Sequence, residues 1–278
     1  MAKNKTSPKK PQGYLHGFTA EEQDRLYRQA RFLENSVYEK VDFSAQQSIV
    51  EVGCGVGAQT EILLERFPHL TIHAIDGADA QVARAKKHLA PAIRAGRVKV
   101  QKADATHLPF AESSLDGAFI CWLLEHVQNP VEILREVRRV LKPGGIIYCN
   151  EVFNQSFYVH PYSPATLQYW FAFNDHQWNL KGDPFVGAKL ANYLMAAGFQ
   201  KIETNEVVLH FDNRSPKRRA SLIEYWTELL MSGAPQLLEA KRVTLHDVQT
   251  MEAELKRLKH DPDAVFFYNW IQARAQAF

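Results

Sequence analysis

Apolar positions along the chain switch between two periods, helical and extended. Leu26, Ala30, Leu33 and Val37 recur at helical spacing behind Thr19 and Glu22, a capping-box pair, which predicts a helix over 19–38 with one side packed on the body. Short apolar runs then alternate with helical stretches. Residues 49–52, 70–75, 97–103, 115–123 and 146–151 read as strands, the fourth strongly apolar, as a parallel strand buried on both faces should be. Between them, Ile62, Leu63, Leu64 and Phe67 belong to a helix that Pro68 ends, and residues 78–89 form another. Asn129, Pro130 and Glu132 start a third helix, with Ile133, Leu134, Val137, Val140 and Leu141 as its buried stripe. Regular strand–helix alternation implies an α/β fold around a mostly parallel sheet.

From Phe153 that alternation stops. Residues 153–183 are dense in aromatics, Trp170 and Phe173 among them, with His160 and His176 interspersed, and read as an inserted helical cap. A last core helix over 186–197 closes at Gly198, and a sixth strand follows over 201–211. A second helical insertion, 214–261, carries Leu222, Tyr225, Trp226, Leu229 and Leu230 on one helix and Val248, Met251, Leu255 and Leu258 on another that starts at Thr244. Alternation over 264–275 gives a seventh strand. The chain therefore divides into a basic tail (1–12), an N-terminal helix and core (13–152), an aromatic cap (153–183), and the rest of the core with its own cap (184–278).

One stretch carries the chemistry. The strand at 49–52 runs directly into Gly53, Gly55 and Gly57, and a helix begins at once. Glycines there permit a sharp turn and let a ligand lie against the backbone, while the helix start offers unpaired N–H groups. Gly53-x-Gly55-x-x-Ala58 followed by Asp76 fits a dinucleotide fingerprint, so an NAD-dependent oxidoreductase is one reading. Three features favour S-adenosylmethionine instead: Glu51 ahead of the glycines, the third glycine Gly57, and Asp104 at the end of the third strand.

Together, these motifs resemble those of class I S-adenosylmethionine-dependent methyltransferases of the small-molecule type (the type 11/25-like group), with the loop form E/D-x-G-x-G-x-G. The resemblance runs from Glu51 to Val152, includes the Leu-Lys-Pro-Gly-Gly turn at 141–145, and reaches upstream to 14–17. It implies a seven-stranded Rossmann-like sheet, last strand antiparallel, and a transferase that leaves S-adenosylhomocysteine as product. It further implies that Asp76 with Gly77 meets the ribose hydroxyls and that Asp104 and Ala105 meet the adenine. Glu51, Gly53, Cys54, Gly55, Gly57, Gln59 and Cys121 complete the expected cofactor set. Tyr14 is either an aromatic anchor for the first helix or a lid over the methionine end.

Composition narrows the acceptor. The net charge is +2, but Lys3, Lys5, Lys9 and Lys10 fall in an acid-free start; the remainder has 29 basic against 31 acidic side chains, a body of −2. A nucleic-acid partner is therefore disfavoured. The lysine-rich start lacks the apolar core of a secretory signal, and no apolar run is long enough to span a membrane. Cys54, Cys121 and Cys149 fall in or beside strands without a C-x-x-C pair, as in a reduced, cytoplasmic protein with no metal centre. The aromatic caps point to a small apolar or aromatic substrate, with Trp122, His160, Trp170 and His176 as candidate contacts. For a general base the candidates are His16, Glu125, His126, His160 and His176, with His126, just past the fourth strand, chosen among them. Methylation of tRNA or protein, and a non-catalytic module that merely binds the cofactor, are the remaining alternatives.

Overall fold

The computed structural model describes residues 15–278; the expected tail and Tyr14 lie outside the described residues. Strand β1 (Ser48–Val52) pairs in parallel with β2 (Thr71–Asp76) on one side and β4 (Leu115–Cys121) on the other. β3 (Val98–Lys102) flanks β2, and β5 (Leu141–Val152) flanks β4, again in parallel. The order β3-β2-β1-β4-β5 reverses direction between β1 and β4, which opens a crevice beyond their carboxyl ends. The glycine loop, Asp76 and residues 122–126 all emerge at that edge.

Two layers cover the sheet, and each strand serves both by alternation. Val50, Val52, Ala118, Ile120, Ile147 and Cys149 face α5 (Pro130–Val140) and α7 (Leu190–Ala196). Ile49, Ile72, Ala74, Phe119 and Tyr148 face the other way, toward α1 (Ala20–Tyr38), α2 (Ala58–Arg66) and α3 (Asp79–His88). The short α4 (Ala90–Arg94) leads from α3 to β3.

Among the described residues the sheet has eight strands where seven were expected. β8 (Val265–Gln276) lies antiparallel between β5 and β7 (Gln200–Phe211). β5 leaves β8 at the Val152–Trp270 pair, and the extended stretch β6 (Tyr158–His160) takes the vacant edge opposite Phe267, Phe266 and Val265. An unpaired strand edge is costly to leave open, so part of the first cap is strand and not helix. The rest of the caps is helical: α6 (Pro164–Asn179), α8 (Pro216–Glu239) and α9 (Leu245–His260) pack against one another and extend the core of the α1 side. Thr19 caps α1 by accepting the Glu22 N–H at 3.2 Å, but the Glu22 carboxylate turns to Arg25, so that capping box is half formed. The Thr244–Asp247 box at α9 is complete.

Candidate active site

The glycine loop is fastened to β2 before it meets anything else. The N–H groups of Gly53 and Cys54 both donate to Ile75 O at 2.9 Å. Gly53 (φ +79°) and Gly55 (φ +50°) take left-handed backbone, which side-chain-bearing residues resist. A Cβ on Gly55 would project into open space, so the loop presents bare backbone there. Gly57 has a different reason: a Cβ would stand 2.7 Å from Leu89 Cδ1, and its glycine lets α2 pack on the end of α3.

Two carboxylates organise this end of the sheet. Asp76 accepts from Gly55 N (2.9 Å) with Oδ2 and from Ala78 N (2.8 Å) with Oδ1, joining the loop to the start of α3. Burial pushes its pKa up, while the N–H groups of Ala78, Gly55 and Gly77 pull it down. Glu51 is buried behind the loop and accepts from the Thr60 hydroxyl in α2. Burial outweighs that bond and raises the Glu51 carboxyl to about 8.

A third carboxylate, which the sequence shows only as the end of an apolar strand, shapes the turn after β4. Glu151 is fully buried and accepts from Leu123 N (3.1 Å) and Leu124 N (2.9 Å) at Oε1 and from Glu125 N (3.3 Å) at Oε2. The same turn is held from above: Asp183 N donates to Glu125 O at 2.7 Å and Gln177 Nε2 to Glu125 Oε2 at 2.7 Å. Trp122, at its start, sits at φ +55° with its N–H donating to Asn150 O at 2.9 Å. A tryptophan held in that region is strained, a state sustained by the bonds around it.

These elements bound one cavity of about 280 Å³. Its lower wall is Gly53, Cys54, Gly55, Gln59, Asp76 and Cys121; Gln59 accepts from Tyr38 Oη (2.7 Å) and donates to Cys121 Sγ (3.7 Å). Its upper wall is aromatic: Trp122 and Trp270 meet edge-on at 6.0 Å, and Trp170 stacks on Phe173 at 5.4 Å and leans on Trp226 at 5.3 Å. Polar groups are few and fixed. Arg25 and Glu22 form a buried two-point ion pair at 2.6 and 2.8 Å, and Asn154 accepts from Tyr268 Oη at 2.9 Å. His126 lines the wall with its Nε2 3.6 Å from Glu125 Oε1. Among the described residues no cluster of His, Cys, Asp or Glu could hold a metal ion.

The cavity gathers Gly53, Cys54, Gly55, Gln59, Asp76, Cys121, Trp122, His126 and Trp170 from the expected site residues. Glu51 and Gly57 stand behind the loop, and Gly77 follows Asp76. Asp104 is exposed past β3, its Oδ1 accepting from Thr106 N (2.9 Å) and Thr106 Oγ1 (2.8 Å), and neither it nor Ala105 lines the wall. His160 and His176 are corrections: the structure does not bring them to the cavity. His160 belongs to β6 and pairs with Asp263 at 3.2 Å on the outer side. His176 follows Trp170 and Phe173 on α6 but turns toward Arg242, and burial followed by that cation lowers its pKa. Arg25, Asn154, Tyr225, Trp226, Tyr268 and Trp270 were missed. For Tyr268 and Trp270 the alternation 266–268–270 was the available signal; for Arg25 there was none.

Comparison with known proteins bears on the fold and the family. Residues 50–149 match the family model described as a methyltransferase domain. The biotin biosynthesis bifunctional protein BioHC of Teredinibacter turnerae is 32% identical over 134 residues, 45% of this chain and 24% of that protein. The O-methyltransferase cnsE of Penicillium expansum is 30% identical over 162 residues, 58% of this chain and 55% of the relative. The chain thus spans about half or less of these relatives' length. The fold is shared with a putative methyltransferase solved with the Trm112 activator of Haloferax volcanii, at TM-score 0.58 and 16% identity, covering 93% of this chain and 94% of that one.

Proposed function

We propose, from the match of residues 50–149 to the methyltransferase-domain family, that this protein is a class I S-adenosylmethionine-dependent methyltransferase and transfers the methyl of S-adenosylmethionine to a small apolar or aromatic molecule. The observation that carries the reading is continuity: the glycine loop and the aromatic wall bound a single cavity. When bound, the cofactor supplies an electrophilic methyl carbon on a sulfonium. The protein's part is position and exclusion of water, which for a bimolecular displacement is worth several kcal/mol.

In this reading, Gly53, Cys54 and Gly55 take the methionine end along bare backbone, with Gln59 and Cys121 beside it. Asp76 spends one lone pair of each oxygen on Gly55 and Ala78 and keeps a second on each for the ribose hydroxyls. Asp104 and Ala105 take the adenine; Ala103 N donates to Asp76 O at 3.1 Å, which brings the end of β3 beside that of β2. Trp122 and Trp170 contact the substrate. A cytoplasmic location belongs to the same reading, since Cys54, Cys121 and Cys149 are unpaired and no helix among the described residues is long and apolar enough to cross a membrane.

Calorimetric titration with S-adenosylhomocysteine and, separately, with NAD tests it. Micromolar binding of the first alone is expected. Tight NAD binding with no response to S-adenosylhomocysteine would overturn the cofactor and with it the reaction.

A further inference from the structure

Glu125 brings a carboxylate to a cavity whose upper wall is otherwise aromatic. The residue lines that cavity and is only 8% exposed. One of its oxygens is engaged, Oε2 accepting from Gln177 Nε2 at 2.7 Å. The other, Oε1, accepts no hydrogen bond among the described residues; His126 Nε2 stands 3.6 Å away, beyond bonding distance. Each carboxylate oxygen can accept two hydrogen bonds, so Oε1 keeps room for a donor. A charge buried with so few bonds is costly until one arrives.

Position ties this carboxylate to the rings. Trp170, Phe173 and Gln177 follow one another at intervals of three and four, so one face of α6 carries both rings and the amide that holds Glu125. The Glu125 backbone is fixed as well, its N–H donating to Glu151 Oε2 at 3.3 Å and its carbonyl accepting from Asp183 N at 2.7 Å. Its field reaches across the chamber: burial first, and the Glu125 carboxylate next, push the Tyr268 hydroxyl up. Tyr268 in turn packs on Trp226 at 4.7 Å.

Charge decides what such a chamber attracts. Among the described residues that line the cavity, the one lysine or arginine is Arg25, and Glu22 meets its guanidinium with both oxygens at 2.6 and 2.8 Å. Burial, then Arg25, then His126 hold the His16 pKa well below its ordinary value, so that ring carries no charge at neutral pH. What remains is a carboxylate beside the faces of Trp170, Phe173 and Trp226. Ring faces and carboxylates both attract cations, and an N–H of an ammonium group is the donor that Oε1 lacks.

We infer that this chamber binds an aromatic amine in its ammonium form, with Glu125 Oε1 accepting from the nitrogen and the rings covering the aromatic part. Calling that amine the substrate rests on the methyl-transfer reading above; its binding does not.

The test uses three probes that share a ring system and differ in the charge at the end of a short chain: the cationic 2-(2-naphthyl)ethylamine, the neutral 2-(2-naphthyl)ethanol and the anionic 2-naphthylacetate. Each is titrated calorimetrically into the full chain at low salt, with and without S-adenosylhomocysteine. The wild-type protein should bind the amine about tenfold more tightly than the alcohol, and the acetate most weakly. Glu125→Gln keeps the shape and an oxygen for Gln177 but removes the charge; there the amine should fall to the level of the alcohol. Equal binding of amine and alcohol by the wild type, or an amine preference that survives in Glu125→Gln, overturns the inference. A Glu125→Gln protein whose only loss is affinity for S-adenosylhomocysteine would give the carboxylate to the cofactor and overturn it as well. Should that variant not fold, the wild-type order decides: amine, alcohol, acetate supports the inference and any other order overturns it. Failure of S-adenosylhomocysteine to bind the wild type would instead strike the methyl-transfer reading, and the probe order measured without it still decides the binding.

Discussion

Asp76 Oδ2 accepts the Gly55 N–H at 2.9 Å while Oδ1 accepts that of Ala78 at 2.8 Å. One side chain thus fixes the turn after β1 and the start of α3 before any ligand arrives. Asp76→Ala should do two things at once. Loss of two acceptors for partly buried N–H groups should cost about 1–3 kcal/mol of stability, read by thermal or denaturant unfolding. S-adenosylhomocysteine affinity should fall at least about tenfold by calorimetry, as befits loss of a charged hydrogen-bonding group. A folded Asp76→Ala protein with wild-type affinity would remove the ribose from this carboxylate.

Glu51 predicts a pH dependence. Its folded pKa, about 8, lies above the ordinary carboxyl value of 4.5, so the folded state holds this proton more tightly than the unfolded chain. That contribution is present in full below about pH 4.5 and is lost as pH rises toward 8, at no more than about 1.4 kcal/mol per pH unit. Glu51→Gln keeps an acceptor for the Thr60 hydroxyl and removes the titration. Between pH 5 and 8 the melting temperature of the wild type should therefore fall relative to that of Glu51→Gln. Parallel curves would show that Glu51 ionises normally.

The core was legible because its signals are local. Strand runs, the glycine loop, Asp76 at a strand end and the Asn129-Pro130 helix start each need only a few neighbouring residues, and β1 to β5 lie within a residue or two of expectation, except that β4 stops at Cys121 and β5 reaches back to Leu141. What failed depends on distance in sequence. β6 exists because β8 has an edge left over beyond Trp270, a fact about residues more than a hundred positions away. His160 and His176 shared an aromatic segment with Trp170, but helix phase and strand pairing sent them elsewhere. Arg25 reads as one more polar position on a surface helix until α8 and the cavity close over it. Histidine near aromatics is a weak signal; that His16 meets Ser232, 216 positions on, is invisible without the fold.

The Arg25–Glu22 pair is buried on both sides, with side chains 5% and 3% exposed. Desolvation cancels much of the value of such a pair, yet breaking it leaves a charge in a poor environment. Glu22→Gln should cost about 3–5 kcal/mol by chemical unfolding. Glu22→Leu with Arg25→Met should recover most of that loss. A single variant as stable as the wild type would mean that water reaches the guanidinium.

Glu151 makes the sharpest structural prediction. Its Oε1 serves Leu123 and Leu124, while Oε2 serves Glu125 at the longer distance of 3.3 Å. Glu151→Gln retains an oxygen for the first two bonds and surrenders only the weakest. Glu151→Ala strips acceptors from three N–H groups in a turn that carries Trp122 at one end and His126 at the other. Hydrogen exchange at residues 123–125 should therefore be near wild type in Glu151→Gln and about thirtyfold faster in Glu151→Ala, the equivalent of roughly 2 kcal/mol of local opening. Because that turn forms one wall of the cavity, methyl transfer should fall in the same order, alanine well below glutamine. Equal exchange in the two variants would mean that Asp183 and Gln177, gripping Glu125 from α6 and the segment after it, hold the turn without the carboxylate beneath.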